Sequence, residues 1–263
     1  MKEYKLILSF SAFQRHFFCL SEGDLVAVRI PLKPEEAGLV VDLIERGVQA
    51  FPPFLSQLLS RSKVLQSQVL KNFMPPFTFS IRNKTSLLHA MAELLKTGYK
   101  KFITKADDAN CGLGIKCWSS LEDVFNFAGT EALPYPFVLQ PFFEEWKDYR
   151  VIILGDLYVE AYERQNPFNF RQNLFFGGKA IPHELTEQEL EFCQKVMERG
   201  KFPYAHIDMV YIDGKGPYLS EINLKGGLKG AKILPEEYEK LLKDLTHTFI
   251  CLWKENKKVK ILS

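Results

Sequence analysis

The chain has 263 residues, 46% hydrophobic and 25% charged, the proportions of an ordinary globular protein, so disordered, collagenous and coiled-coil readings are excluded. At roughly 150 residues per domain, the length fits one large or two small domains. Lys plus Arg number 34 against 32 for Asp plus Glu, a net charge of +2, which argues against a dedicated nucleic-acid binder with its strongly basic face.

In chain order, residues 4–10 and 24–31 read as strands, the second ended by Pro31. Residues 34–46 read as a helix, with proline at the start and Gly47 just past the end. Phe51-Pro-Pro-Phe54 then breaks the chain, so residues 1–60 form a small α/β opening segment. A second unit, residues 61–143, begins with a helix over 62–72 stopped by Met74-Pro-Pro76. A strand at 77–81, a helix at 84–97 closed by Gly98 and a strand at 101–105 follow. A polar loop leads to a strand at 114–118, a helix at 120–128 and a strand at 137–140. In the third unit, 144–263, residues 149–154 and 157–162 alternate about Gly155-Asp156 as a hairpin. Thr186-Glu-Gln-Glu189 is a capping box, with Leu185 and Leu190 set as a hydrophobic staple, for a helix running to Gly200. Strands at 205–212 and 217–223 flank Asp213-Gly214-Lys215-Gly216, and a closing helix covers 235–254. The locally basic end, 254–260, reads as a solvated tail. Hairpins mixed with helices make the chain α+β with an α/β start.

Cys19, Cys111, Cys117, Cys193 and Cys251 are an odd count without a CxxC or a zinc spacing, so reduced thiols are the default reading. The apolar run near Met1 is too short for a signal peptide, and no stretch of about 18 apolar residues offers a membrane span. A soluble, cytoplasmic protein without membrane or nucleic-acid partners is expected, with a homodimer as the default assembly.

The stretch from His206 to Asn223 carries the most chemistry. With Asp213–Gly216 as a four-residue loop, Ile212 pairs with Pro217 and, counting back, Asp208 lies directly opposite Glu221. Directly opposed residues share a face, and Asn223, two residues beyond Glu221, shares it too. A two-residue loop shifts the pairing by an even number and keeps the face. Two carboxylates and an amide oxygen among apolar neighbours would repel one another if left alone. Either magnesium or manganese shared with phosphates neutralises them, or Asp208 or Glu221 pairs with a nearby Arg or Lys.

With these residues the chain resembles the ATP-grasp superfamily, and within it the carboxylate–amine ligases of the RimK and glutathione-synthetase type. The resemblance is carried by Lys101-Phe-Ile-Thr-Lys105, Val138-Leu-Gln-Pro-Phe-Phe143, Asp148-Tyr-Arg-Val-Ile-Ile-Leu-Gly155, Glu163-Arg164, Phe170-Arg-Gln-Asn173, Ile207-Asp208 and Glu221-Ile-Asn223. No piece is specific alone; their order over residues 60–232 is. The resemblance implies an ATP-grasp fold, with ATP between two α+β subdomains and a shortened N-terminal segment in front. It implies that Lys63 and Lys105 contact phosphate, though a lysine taken alone is more often a solvated surface charge. It makes Gln140, Pro141, Phe142 and Phe143 the adenine-binding hinge, the Pro141 carbonyl accepting and the Phe142 N–H donating. Asp148 falls at the nucleotide sugar. Arg150, Arg164, Arg171 and Asn173 fall around the transferring phosphoryl group and the acyl-phosphate, where guanidinium forks neutralise developing charge; without the motif the three arginines read equally well as surface ion pairs. Asp208, Glu221 and Asn223 become ligands of Mg2+ or Mn2+.

The sequence departs from the family at the loop Ala106–Gly114, where Asp107-Asp108 would repel a triphosphate unless turned away or met by metal, and Cys111 reads as a filler. Lys225 and Lys229 are open to two readings, contacts for an anionic acceptor or solvent-facing charges. No histidine has a partner that the sequence identifies. The resemblance implies an ADP-forming ligase joining a small-molecule or peptide carboxylate to an amine through an acyl-phosphate. A kinase acting on a hydroxyl and a nucleotide-binding module without ligase activity are the competing readings.

Overall fold

The computed structural model describes residues 2–31, 36–107, 113–168, 174 and 177–262. Arg171 and Asn173, and Asp108, Cys111 and Gly112 of the glycine-bearing loop, lie outside the described residues. Three sheets organise the chain.

The first sheet is parallel, in the order β13-β1-β2-β3, from β1 (Glu3–Ile7), β2 (Leu25–Val26), β3 (Gln49–Ala50) and β13 (Lys258–Leu262). Helices α1 (Phe10–His16) and α2 (Ala37–Glu45) give it a core of Ile7, Phe13, Val26, Val40 and Leu43. Two expectations change here. The strand expected over 24–31 shrinks to two residues, and the basic end is no solvated tail: it becomes β13, paired residue for residue with β1. Lys258 and Lys260 stay exposed, while Val259 is half-buried against the main core. Lysine on an edge strand also discourages further pairing.

Helices α3 (Phe54–Leu59) and α4 (Lys63–Val69) lead into the second sheet, antiparallel in the order β4-β7-β5-β6. Its strands are β4 (Phe79–Ile81), β5 (Phe102–Ala106), β6 (Ile115–Trp118) and β7 (Phe137–Pro141). Helices α5 (Lys84–Leu95), entered through an Asn83–Ser86 capping box, and α6 (Leu121–Phe127) bury Leu87, Leu94 and Val124 against Ile81, Phe137 and Leu139.

The third sheet, order β10-β9-β8-β11-β12, is antiparallel throughout. It holds β8 (Trp146–Leu154), β9 (Tyr158–Gln165), β10 (Lys179–His183), β11 (Tyr204–Ile212) and β12 (Lys215–Asn223), with helices α7 (Glu187–Gly200) and α8 (Pro235–Lys254). Strand alternation sorts the two faces. Val151, Ala161, Ile207 and Ile222 lie in register on one face, within the largest core. The row beside it, Tyr162, Arg150, Asp208 and Glu221, runs across four strands on the other. Among the described residues no helix is long and apolar enough to cross a membrane.

Candidate active site

The polar row is the candidate site. Asp208 pairs with Glu221 across β11 and β12, as the sequence predicts, but by a different route. The expected four-residue loop is a two-residue turn, Ile212 pairing with Lys215 through Asp213 and Gly214, both at positive φ. Such an Asp-Gly turn suits the strand twist. Register shifts at Asp208/Met209 and Val210/Ile212 restore the pairing before the carboxylates are reached.

Across β8, Arg150 is the strand partner of Asp208; its Nε donates to Asp208 Oδ1 at 2.5 Å and its Nη2 to Oδ2 at 3.3 Å. Arg164 Nη2 reaches the same carboxylate at 3.1 Å. Burial opposes charge on Asp208, yet the two guanidinium groups outweigh it and hold its pKa down at about 2. Asp148, expected at a nucleotide sugar, is engaged by an arginine. Opposite Arg164 in register, it accepts from that side chain at both oxygens, 2.7 and 2.8 Å, and is 4% exposed. Burial weighs against the Arg164 charge as well, and Asp148 and Asp208 more than restore it. The ion-pair reading of the carboxylates is what the structure holds, Asp208 meeting Arg150 and Arg164, and Glu221 meeting Lys63.

Glu221 receives Lys63 Nζ at 3.5 Å from the first residue of α4, and Asn223 Nδ2 at 3.0 Å, the Asn223 side-chain oxygen taking no part in that bond. Lys105 Nζ, from β5, lies 3.3 Å from Ser220 Oγ, beside Glu221. Burial lowers the pKa of Lys105, Glu221 working against it. Asp107 is turned onto the start of α4. It accepts from Val64 N–H at 2.8 Å and from the Ser62 hydroxyl at 2.9 Å, so it caps α4 and keeps Lys63 near the base of the loop.

At the hinge, Gln140 and Pro141 are buried in β7, and Phe143 packs on Tyr99, Val210 and Ile212. One expectation fails. Phe142 N–H cannot serve adenine, because it continues the β5–β7 ladder by donating to Lys101 C=O at 2.9 Å. Among the described residues no backbone carbonyl accepts from the next N–H, that of Phe143.

Sequence reading missed His206, whose signal was its position two residues before Asp208 and hence on the same face. It is 1% exposed, its Nε2 lies 2.9 Å from Tyr238 Oη, and burial with the Arg150 charge pushes its pKa down to about 3, so the ring is neutral. The loop after Asn223 crosses this ring at Gly226, where an added Cβ would stand 2.6 Å from both His206 Nδ1 and Arg150 Nη1. That loop is pinned by Glu160, which accepts from Lys232 N–H at 2.6 Å, and by Tyr162 Oη, which donates to Lys229 C=O at 3.1 Å. Lys229 Nζ donates to Leu174 C=O at 3.0 Å, and Lys225 lies 3.6 Å from exposed Glu239.

Chemically, the donors that could hold a cation are all oxygen: Asp208, Glu221 and the Asn223 amide, the set that suits a hard ion. Among the described residues no three His, Cys, Asp or Glu side chains cluster as a metal set. Among the described residues, Asp148, Asp208 and Glu221 face Lys63, Lys105, Arg150 and Arg164, one more cation than carboxylate while Lys105 keeps its proton. Such a face suits a polyanion that brings its own divalent ion.

The family model for the RimK-like ATP-grasp domain matches residues 62–240. A protein of Shewanella frigidimarina, described as a probable alpha-L-glutamate ligase, is 30% identical over 110 residues, 41% of this chain and 35% of that protein. The chain spans 35%, 45% and 62% of the length of three such curated relatives. Among solved structures, the D-alanine–D-alanine ligase of Coxiella burnetii superposes with a TM-score of 0.60 at 15% identity, covering 88% of this chain and 70% of that one. A RiPP-associated ATP-grasp ligase of Chryseobacterium gregarium, in complex with ADP and a leader and core peptide, gives 0.57 at 16%, covering 95% and 97%. These likenesses show the fold, and with the match over residues 62–240 the chain belongs to the RimK-like ATP-grasp family.

Proposed function

We propose that the protein is an ATP-dependent, ADP-forming ligase that joins a carboxylate to an amine. The observation that carries this reading is the polar row of the third sheet: oxygen donors Asp208 and Glu221 directly opposed, ringed by Lys63, Lys105, Arg150 and Arg164. The γ-phosphoryl group passes to a substrate carboxylate oxygen and ADP leaves; the amine then attacks the acyl carbon, phosphate departs with the electron pair of the C–O bond, and the amine nitrogen releases a proton to solvent. No enzyme nucleophile is needed. Lys63 and Lys105 would hold the phosphates, with Arg171 and Asn173 beside them by family resemblance. Arg150 and Arg164 would face the transferring group, Arg164 oriented by Asp148. Gln140 to Phe143 would frame adenine, the Pro141 carbonyl accepting and Phe143 N–H donating in place of Phe142. Asp208, Glu221 and Asn223 would hold Mg2+ or Mn2+, which neutralises phosphate charge when bound. The carboxylate is a small molecule or a peptide, and use of ATP with reduced thiols suits the cytoplasm.

The test is turnover of ATP with Mg2+ against pooled amino acids and small carboxylates, separating ADP from AMP and weighing new products. Acceptor-dependent ADP, with a hydroxamate formed when hydroxylamine replaces the amine, is expected. A stable phosphate ester would instead mark a kinase, and binding of nucleotide without turnover in any pool a binding module.

A further inference from the structure

Strand β12 lies at the edge of the third sheet, so backbone groups on its outer side lack a strand partner. At Ile222 one side chain takes both. Gln66 Oε1 accepts from Ile222 N–H at 3.0 Å, and Gln66 Nε2 donates to Ile222 C=O at 2.9 Å. The same Nε2 donates to Leu59 C=O at 2.7 Å, which ties α3 to α4. Two residues along, Leu224 N–H donates to Ser60 Oγ at 2.8 Å. Polar side chains of the α3–α4 hairpin therefore stand in for a sixth strand. Gln66 is 2% exposed, so water is not on hand to replace it.

Ile222 is the residue between Glu221 and Asn223. Its side chain enters the core, and its neighbours project together from the opposite face. Clamping both polar groups of Ile222 fixes the peptide planes on either side, and so the directions of Glu221 and Asn223. The helix applies a second constraint. Lys63, one turn before Gln66 on the same side of α4, meets Glu221 at 3.5 Å. One short helix thus sets a cation against a carboxylate and, from its next turn, holds the strand that carries it.

We infer that Gln66 is a positioning residue for the divalent-ion set: its amide holds Ile222 so that Glu221 and Asn223 point at one ion with Asp208. This rests on the ligand assignment proposed above. Partners that orient ligands act on the ion's affinity, whereas a residue that only supports the fold lowers nucleotide and ion binding alike.

The test uses the full chain with a saturating non-hydrolysable ATP analogue and Mn2+ as probe, free Mn2+ being read by electron paramagnetic resonance. Affinity for the analogue without metal is measured separately. Gln66→Met keeps length and burial and removes the amide; Glu221→Gln removes a ligand. Both variants are expected to weaken Mn2+ by about 10–100-fold, with analogue affinity held within about twofold. If Glu221→Gln weakens Mn2+ and Gln66→Met binds it as the parent does, the positioning role is overturned and the ligand assignment stands. If Glu221→Gln leaves Mn2+ unchanged, the ligand assignment falls and this inference with it. Equal losses of analogue and Mn2+ in Gln66→Met also overturn the role. Should Gln66→Met fail to fold, Gln66→Glu carries the same arms, because it keeps the acceptor for Ile222 N–H and loses both donated bonds.

Discussion

Asp208 and Glu221 face one another, yet removing them has different physical consequences. Asp208 is 14% exposed and answers two guanidinium groups, so Asp208→Ala leaves Arg150 and Arg164 buried with a partner missing. Deleting one member of a buried pair costs about 3–5 kcal/mol. Glu221 is 26% exposed and pairs with Lys63 alone among the described residues, against two guanidinium groups on Asp208, so its loss leaves less charge unpaired. Both variants are expected to lose turnover to background, and only Asp208→Ala to lower the urea midpoint clearly. Activity in either would refute the metal assignment, and equal midpoints would refute the ion-pair account. At this scale the face was legible, because strand period alone places Asp208, Glu221 and Asn223 together whatever even-numbered loop joins the strands. Their cations were not, since Lys63 reaches Glu221 from a distant helix and nothing local in the sequence marks the pair.

Helix α7 shows what an element declares about itself and what it leaves out. Its capping box is written in Thr186 and Glu189, and both halves form. The structure adds that Glu189, 3% exposed, also lies 3.1 Å from His183 Nε2 on β10 and accepts from Tyr211 Oη at 3.1 Å on β11. Burial alone would raise its pKa, but Thr186 and His183 outweigh burial and lower it. A carboxylate with a lowered folded pKa adds stability that is present above its unfolded value, about 4.3, and lost as pH falls below it. Urea midpoints measured from pH 7 down to 3 should therefore fall more steeply for the parent than for Glu189→Ala. The variant should already be about 1–3 kcal/mol weaker at pH 7; parallel pH profiles would exclude the linkage. The closing helix α8 was equally legible, since Pro235 opens it and a long apolar stripe carries it to Lys254. Helix α1 and strands β10 and β13 were not. Ser9 accepts from Ala12 N–H to cap α1, whose Phe10, Phe13 and Phe17 keep helical spacing, but its 7 residues follow directly on the first strand, and short edge strands take their identity from the strand they meet.

Across the whole molecule, the excess positive charge of the site links its two ligands. A lone divalent ion must compete with Lys63, Arg150 and Arg164 for the same carboxylates, whereas triphosphate draws the cations to itself. Mn2+ is expected to bind poorly alone and more tightly with an ATP analogue, the analogue gaining the same factor from Mn2+ by reciprocity; independent binding would contradict the charge count. The chain's two ends are joined as well. Strand β1 pairs over five residues with β13 and over two with β2, so β13 is its principal partner. Tyr4 on β1 stacks edge-on against Trp253 of α8, with Lys257 over both rings. Deleting residues 257–263 strips β1 of most of its ladder and exposes Tyr4 and Trp253. The third sheet keeps Val151, Ile207, Met209 and Ile222 packed together, although Leu6 and Leu25 of the first sheet reach into the same core. The expected result of brief proteolysis is early cutting within residues 8–53, with the fragment carrying residues 62–240 persisting longer. Uniform digestion would mean that the three sheets melt as one unit. Parent-like resistance would mean that β13 merely lies against β1 and does not hold it.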